Sequence, residues 1–203
     1  AEEQRFSDTG VKDMVRRALL PWLNAFRFLQ TYAQIDQWSP SESPKTSPNI
    51  MDAWILSRLQ TLKATIAEEM ENYRLYNVVP ALFEFIEELT NWYIRLNRGR
   101  FWDESMTADK VHAYNTLYTT LYELSLSMAP FAPFLAETIY LQMQAFGESD
   151  APESVHLCSY PEPQPALQQP MLEAAVTRMQ HIILLCRQKL NQEKVKTKMP
   201  LVV

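Results

Sequence analysis

Residues 76–102 read YNVVPALFEFIEELTNWYIRLNRGRFW. Val79, Leu82, Ile86, Leu89, Tyr93 and Leu96 follow one another by three or four residues, the spacing that lines one face of an α-helix. The pattern predicts a helix from about Tyr76 to Arg98 with this seam buried. Pro80 then falls in its first turn, where proline is tolerated, and Gly99 is its expected stop. A seam of this length needs other apolar faces to pack against, and the flanking sequence supplies them.

Upstream, Ile55, Leu59, Leu62, Ile66 and Tyr73 repeat at helical spacing and predict a helix from Asn49 to Tyr73. Before it, a helix is expected from Val11 to Ile35, with Met14, Ala18 and Trp22 on one face. Pro21 should kink or split it. The Ser- and Pro-rich stretch 39–48 reads as a solvated linker. Downstream, Thr107 is a candidate N-cap for a helix ending before Pro130, with Leu117, Leu121, Leu124 and Met128 as its seam. A shorter helix follows from Pro133 to Ala145. Then comes an irregular segment, 147–165, with an extended piece at Val155 to Cys158. A last helix is expected from Gln168 to Gln192, with Leu172, Val176, Met179, Ile183, Cys186 and Leu190 on one stripe. Lys194 to Val203 reads as a strand or linker.

These elements predict an all-α bundle with antiparallel neighbours. Its expected organisation is a leading helix (1–38), a linker (39–48), a bundle core (49–160), and a further helix with a C-terminal linker (161–203).

Composition agrees. The chain of 203 residues is long enough to bury a core, is 47% apolar, and has only 3 Gly. Its two cysteines, Cys158 and Cys186, cannot build a disulfide framework, so a reduced, intracellular protein is expected. Ala1 to Arg5 is charged and leads into no signal-peptide core, and no apolar run is long enough to cross a bilayer. A soluble, cytoplasmic chain without a membrane partner follows as an expectation.

The net charge of −5 speaks mildly against a nucleic-acid partner, but the average hides an asymmetry. From Asp103 to Glu173 the charges are acidic except Lys110. From Arg178 to Lys198 they are basic except Glu193. Between Asn91 and Arg100 stand three arginines and no acid. At about 100° per residue, Tyr93 and Leu96 face the core, and Asn91, Arg95 and Arg98 face away. Trp102 joins them if the helix continues past Gly99. An arginine fork suits phosphate, and a neighbouring aromatic can stack on an unpaired base. The same residues also fit a plainer role, with arginines complementing the helix dipole and Trp92, Phe101 and Trp102 plugging the end of the bundle.

Asn91 to Trp102 resembles the NWYxRxxRxRFW signature of isoleucyl-tRNA synthetases. Leu20 to Phe26 (LPWLNAF) is similar to the family's first helix after the catalytic domain, and Asp52 to Leu59 (DAWILSRL) to the opening of its anticodon bundle. Met128 to Phe134 and Ser154 to Leu157 also match. Valyl enzymes share the WILSRL-type opening but usually carry an acidic DWYxE pattern at the position of Asn91 to Arg95. One departure is Cys186, where the family tends to have glycine.

The resemblance implies a helical bundle of the class I aminoacyl-tRNA synthetase anticodon-binding type, with an isoleucine-accepting tRNA as partner. It implies RNA contacts at Asn91, Arg95, Arg98, Arg100 and Trp102, with Trp92 and Tyr93 in the core. A parent enzyme that joins isoleucine to tRNA with ATP and Mg²⁺ is also implied, its catalytic domain packing on the N-terminal side of this region. Within the chain, no cofactor, metal or catalytic residue is expected. The equivalent valyl module and a helical protein-interaction domain are the alternative readings.

Other features fit that expectation. The three glycines form no nucleotide-binding loop, and the class I HIGH and KMSKS signatures are missing. Lys196 to Pro200 has only a superficial likeness to the latter. His156 and Cys158 lack a second pair of metal ligands, and His112 and His181 stand alone. Cys186 is expected to be buried. The acid pairs Glu68-Glu69 and Glu87-Glu88 are expected on solvated faces.

Overall fold

The computed structural model describes residues 7–40, 47–146 and 151–195, and among them all regular structure is helical. The run Lys196 to Val203, most of the 39–48 linker and the start of the 147–165 segment lie outside the described residues.

The leading helix is built in three pieces. Ser7 opens it, its Oγ accepting from the Gly10 N–H at 3.1 Å. Helix α1 (Asp8–Met14) runs into a π-helical turn (Val15–Leu19) and then α2 (Leu20–Ile35). Pro21 is therefore neither a break nor an ordinary interior proline. It sits in the first turn of α2, directly after a widened turn that loosens the backbone around the carbonyl its ring would strike. Ala18 and Trp22 are buried, whereas Met14 is 50% exposed, so the expected face is filled only from Ala18 onward.

Helix α3 (Ile50–Glu71) starts at Asn49, whose Oδ1 accepts from the Met51 N–H at 2.9 Å. It ends in a left-handed residue, Tyr73 (φ 56°), with Arg74 N–H returning to Glu69 O at 2.8 Å. This Schellman-type closure turns Tyr73 out to 91% exposure, off the seam expected of it. Glu69 then ties α3 to α4 (Leu75–Glu87). Its carboxylate accepts from Arg74 Nε at 2.7 Å and from Asn77 Nδ2 at 2.7 Å. Glu88 is also no solvated acid; it is buried and accepts from Arg58 Nε at 2.9 Å.

Pro80 lies inside α4 rather than in its first turn, on an exposed position. After Glu87 the helix widens into a second π-helical stretch (Glu88–Ile94) and continues as α5 (Arg95–Phe101). The wide turn slips the seam by one residue. After Leu89 and Tyr93 the buried positions are Asn97 and Phe101, and Leu96 is 56% exposed. Asn97 is tolerated inside because its Nδ2 donates to Tyr93 O at 2.8 Å. The helix runs straight through Gly99.

Thr107 caps α6 (Ala108–Met128), its Oγ1 accepting from Lys110 N–H at 3.2 Å. α7 (Pro133–Gln144) returns against it, with Tyr122 and Tyr140 rings 5.6 Å apart. Helices α3 and α4–α5 run antiparallel, as Arg58–Glu88 and Tyr93–Asp52 require. Yet α1–α2 and α4–α5 run in the same sense: Met14 and Leu19 border the same hollow as Val79 and Leu82, and Phe28 meets Phe101 at 5.0 Å. Neighbours are thus not all antiparallel. After α7, the piece expected to be extended is a 3₁₀ turn (Val155–Leu157). Glu137 holds it by accepting from Val155 N–H at 2.8 Å.

Residues from Gln169 onward form a separate compact unit. Its helix α8 (Pro170–Gln192) buries only Val176; Met179 is 37% exposed and Cys186 is exposed, contrary to the stripe expected from spacing.

Candidate nucleic-acid interface

The second π-helical stretch and α5 carry every residue singled out on the motif except Trp102, which follows α5 as its cap. Because the seam takes Tyr93, Ile94, Asn97 and Phe101 inward, Asn91, Arg95, Leu96 and Arg98 are left outside. The side chains of Asn91, Arg95 and Arg98 are exposed and make no hydrogen bond or ion pair within the described residues, so their donors face water. Trp92 is half-buried, and Tyr93 is fully buried.

Trp102 caps α5 through its own N–H, which donates to Arg98 O at 3.3 Å. The residue is 57% exposed and its ring is anchored at one end, Nε1 donating to the Tyr32 hydroxyl at 2.7 Å. The ring is therefore anchored in orientation while more than half of the residue's surface stays exposed, as a stacking platform needs.

Arg100 differs from its neighbours. Its Nη1 and Nη2 donate to the two oxygens of Asp52 at 2.7 and 2.9 Å, a bidentate pair. Nε and Nη2 donate to Asp109 at 2.8 Å each, and Nη1 also reaches Asn97 Oδ1 at 3.1 Å. All its N–H directions point into the protein, leaving none for phosphate. Asp52 is fully buried and further accepts from Ser47 Oγ at 2.6 Å and Tyr93 Oη at 2.7 Å. Burial, and then the Asp52 carboxylate, push the Tyr93 phenol well above its ordinary range, so it stays protonated and donates. Arg100 thus ties α5 to the start of α3 and the start of α6. Reading the motif as a row of arginines missed this, because the carboxylates that claim Arg100 lie 48 and 9 residues away in sequence.

A groove of about 510 Å³ opens beside Asn91 and Arg98. One wall is Arg16, Arg17, Pro21, Asn24, Ala25 and Phe28; the other is Glu87, Thr90, Asn91, Ile94 and Arg98. Arg95 stands outside it. Each wall includes a π-helical stretch, a feature often found where a helix has been adapted to a function.

Residues 52–203 match the family model described as the anticodon-binding domain of tRNA ligase. The chain belongs to that family. Its anticodon-binding domain is similar to the corresponding region of isoleucine–tRNA ligases along nearly all its length. It is 47% identical to that of Bdellovibrio bacteriovorus over 99% of the chain. Identity is 41% with that of Clostridium novyi over 97%, and 41% with the cytoplasmic isoleucine–tRNA ligase of Saccharomyces cerevisiae over 99%. The chain spans only 19–20% of the length of these relatives. No helix among the described residues is long and apolar enough to cross a membrane.

Proposed function

We propose that this domain holds the anticodon stem-loop of an isoleucine-accepting tRNA for an isoleucine–tRNA ligase, in the cytoplasm. The observation that carries the reading is the membership of an anticodon-binding family together with near full-length similarity to isoleucine–tRNA ligases. In this reading Arg95 and Arg98, exposed and unpaired, meet backbone phosphates. Asn91 and the exposed Trp102 meet ribose or base. Arg100 is a positioning residue: it fixes the helix end that presents Arg98 and Trp102.

The residues present do not suit ATP or Mg²⁺. The sequence has no Gly-rich phosphate loop, and the described residues hold no group of three or more His, Cys, Asp or Glu side chains placed for a metal. The activation of isoleucine is therefore assigned to the rest of the ligase, on the N-terminal side of this region. The chain by itself is expected to give no isoleucine-dependent exchange of pyrophosphate into ATP.

The decisive experiment is titration of the full-length ligase with isoleucine- and valine-accepting tRNA. Tighter binding of the first is expected. The Arg95→Ala and Arg98→Ala variants should each flatten the dependence of log affinity on log salt by ~0.7–0.9. Equal binding of both RNAs would favour a valyl or general tRNA module. Unchanged affinity in the two variants would remove this face from the interface.

A further inference from the structure

The groove between the leading helix and the motif helix uses residues that no motif assigns. Arg17, Pro21, Asn24 and Phe28 line one wall at intervals of four, three and four residues. Glu87, Asn91, Ile94 and Arg98 line the other at the same intervals. Each row is therefore one continuous face of its helix, about 16 Å long at 1.5 Å per residue. The helices run in the same sense, so Arg16 and Arg17 stand at the Glu87 end and Arg98 at the Phe28 end.

Arg16, Arg17 and Arg98 are exposed and have no hydrogen-bond or ion-pair partner within the described residues. Even Glu87, the one acid in the lining, makes no ion pair with them. Cations are thus held at both ends of a trough whose middle is apolar (Pro21, Ala25, Ile94) and flanked by two exposed amides, Asn24 and Asn91. A protein surface of net charge −5 gains nothing in stability from unpaired arginines facing one another across a groove. The arrangement suits a polyanion with flat, partly apolar units between its charges.

We propose that this groove binds a single strand of the tRNA along its length, with one phosphate on Arg16 and Arg17 and another on Arg98. Asn24 and Asn91 reach the intervening ribose or base edges. The proposal rests on the tRNA-binding reading and extends it. Arg16, Arg17 and Asn24 become RNA-binding residues, and the leading helix becomes part of the interface rather than a spacer. The chemistry is that of a charged channel tracking a backbone, with apolar contact to the units between phosphates.

The test uses the full-length ligase carrying Arg16→Ala and Arg17→Ala together. Both side chains are exposed and unpaired, and alanine favours helix, so the fold is expected to be retained. Isoleucine-accepting tRNA is titrated over a range of salt. The expected result is weaker binding and a slope flatter by ~0.7–0.9, as for the loss of the one phosphate that Arg16 and Arg17 share. Arg16→Lys with Arg17→Lys should keep the slope, and Asn24→Asp should weaken binding. Arg27, exposed on the same helix but outside the groove, is the comparison: Arg27→Ala should leave the slope unchanged. An unchanged slope in the double variant, or an equal effect from Arg27→Ala, would overturn the groove as the site. Failure of the wild-type ligase to bind the tRNA would instead sink the reading on which the groove rests.

Discussion

Arg98 and Arg100 stand two positions apart, and on a helix that step turns a side chain by about 200°. Arg98 faces water, while Arg100 is clamped by Asp52 and Asp109. Their alanine variants should therefore part company. Arg100→Ala leaves Asp52, fully buried, without its counter-charge, and such a loss costs ~3–5 kcal/mol. Arg98→Ala removes an exposed, unpaired side chain and should stay within ~0.5 kcal/mol of wild type. Urea unfolding of the two proteins checks this; a destabilisation by Arg98→Ala equal to that by Arg100→Ala would contradict the geometry. The sequence told which residue types were present and roughly which way Arg95 and Arg98 face. It did not tell that Arg100 is occupied, since an arginine beside a glycine carries no mark of a carboxylate many residues away. The aspartate of DAWILSRL stood in plain view, but nothing in the spacing says that it is buried.

The elements themselves were legible where period and cap agree. The starts at Asn49 and Thr107 fall where side-chain oxygens meet free N–H groups. Two kinds of feature escaped. The π-helical stretches obey no 3.6-residue period, so the seam slipped from Leu96 to Asn97 without warning. One helix end escaped too, because glycine is the commoner stop signal. Here Gly99 lies mid-helix, while the left-handed closing positions are Gln37, Tyr73 and Lys194. A side chain with a Cβ is strained there. Tyr73→Gly, at 91% exposure, should thus raise stability by ~0.5–1 kcal/mol, as measured by denaturant midpoint; a fall would show that the ring itself matters. The same turn carries a pH signature. Hydrogen bonds from Arg74 and Asn77 hold the Glu69 carboxyl below its usual range. A depressed carboxyl adds stability above its unfolded value near 4.5, and that stability is lost as pH falls through the folded value. Glu69→Gln should accordingly lower the thermal midpoint at neutral pH, with the gap closing in acid. A gap that persists unchanged at pH 2 would point to lost packing instead.

At the scale of the whole molecule, the all-helical class could be read from the seams, but the pairing of helices could not. Periodicity says that a face is buried and not which partner covers it, so the same-sense packing of α1–α2 and α4–α5 had no signal. For α8 the burial itself departs from the spacing, since Val176 alone of its apolar stripe is buried. What joins the first unit together is a set of aromatic contacts: Trp38 on Tyr114 at 5.1 Å, Tyr118 on Tyr122 at 6.2 Å, and Tyr122 on Tyr140 at 5.6 Å. These rings bring a global consequence. Burial, as the largest cause, pushes the phenols of Tyr93, Tyr114, Tyr118, Tyr122, Tyr140 and Tyr160 up, the last to about 12. Tyr93 and Tyr114 are pushed further by the carboxylates of Asp52 and Asp36, to which they donate. In the unfolded chain a phenol ionises near pH 10. Below that value both states are protonated and the contribution is fully present. Above it the unfolded state releases protons that the folded state keeps, so stability falls as pH rises toward the folded values. Six such groups acting together should make alkaline unfolding cooperative. In a titration followed by both tyrosinate absorbance and helical ellipticity, the signal of the fully buried rings of Tyr93, Tyr114 and Tyr140 should rise only as ellipticity is lost. Full ionisation of all nine tyrosines with helicity intact would show that these phenols are not buried in solution.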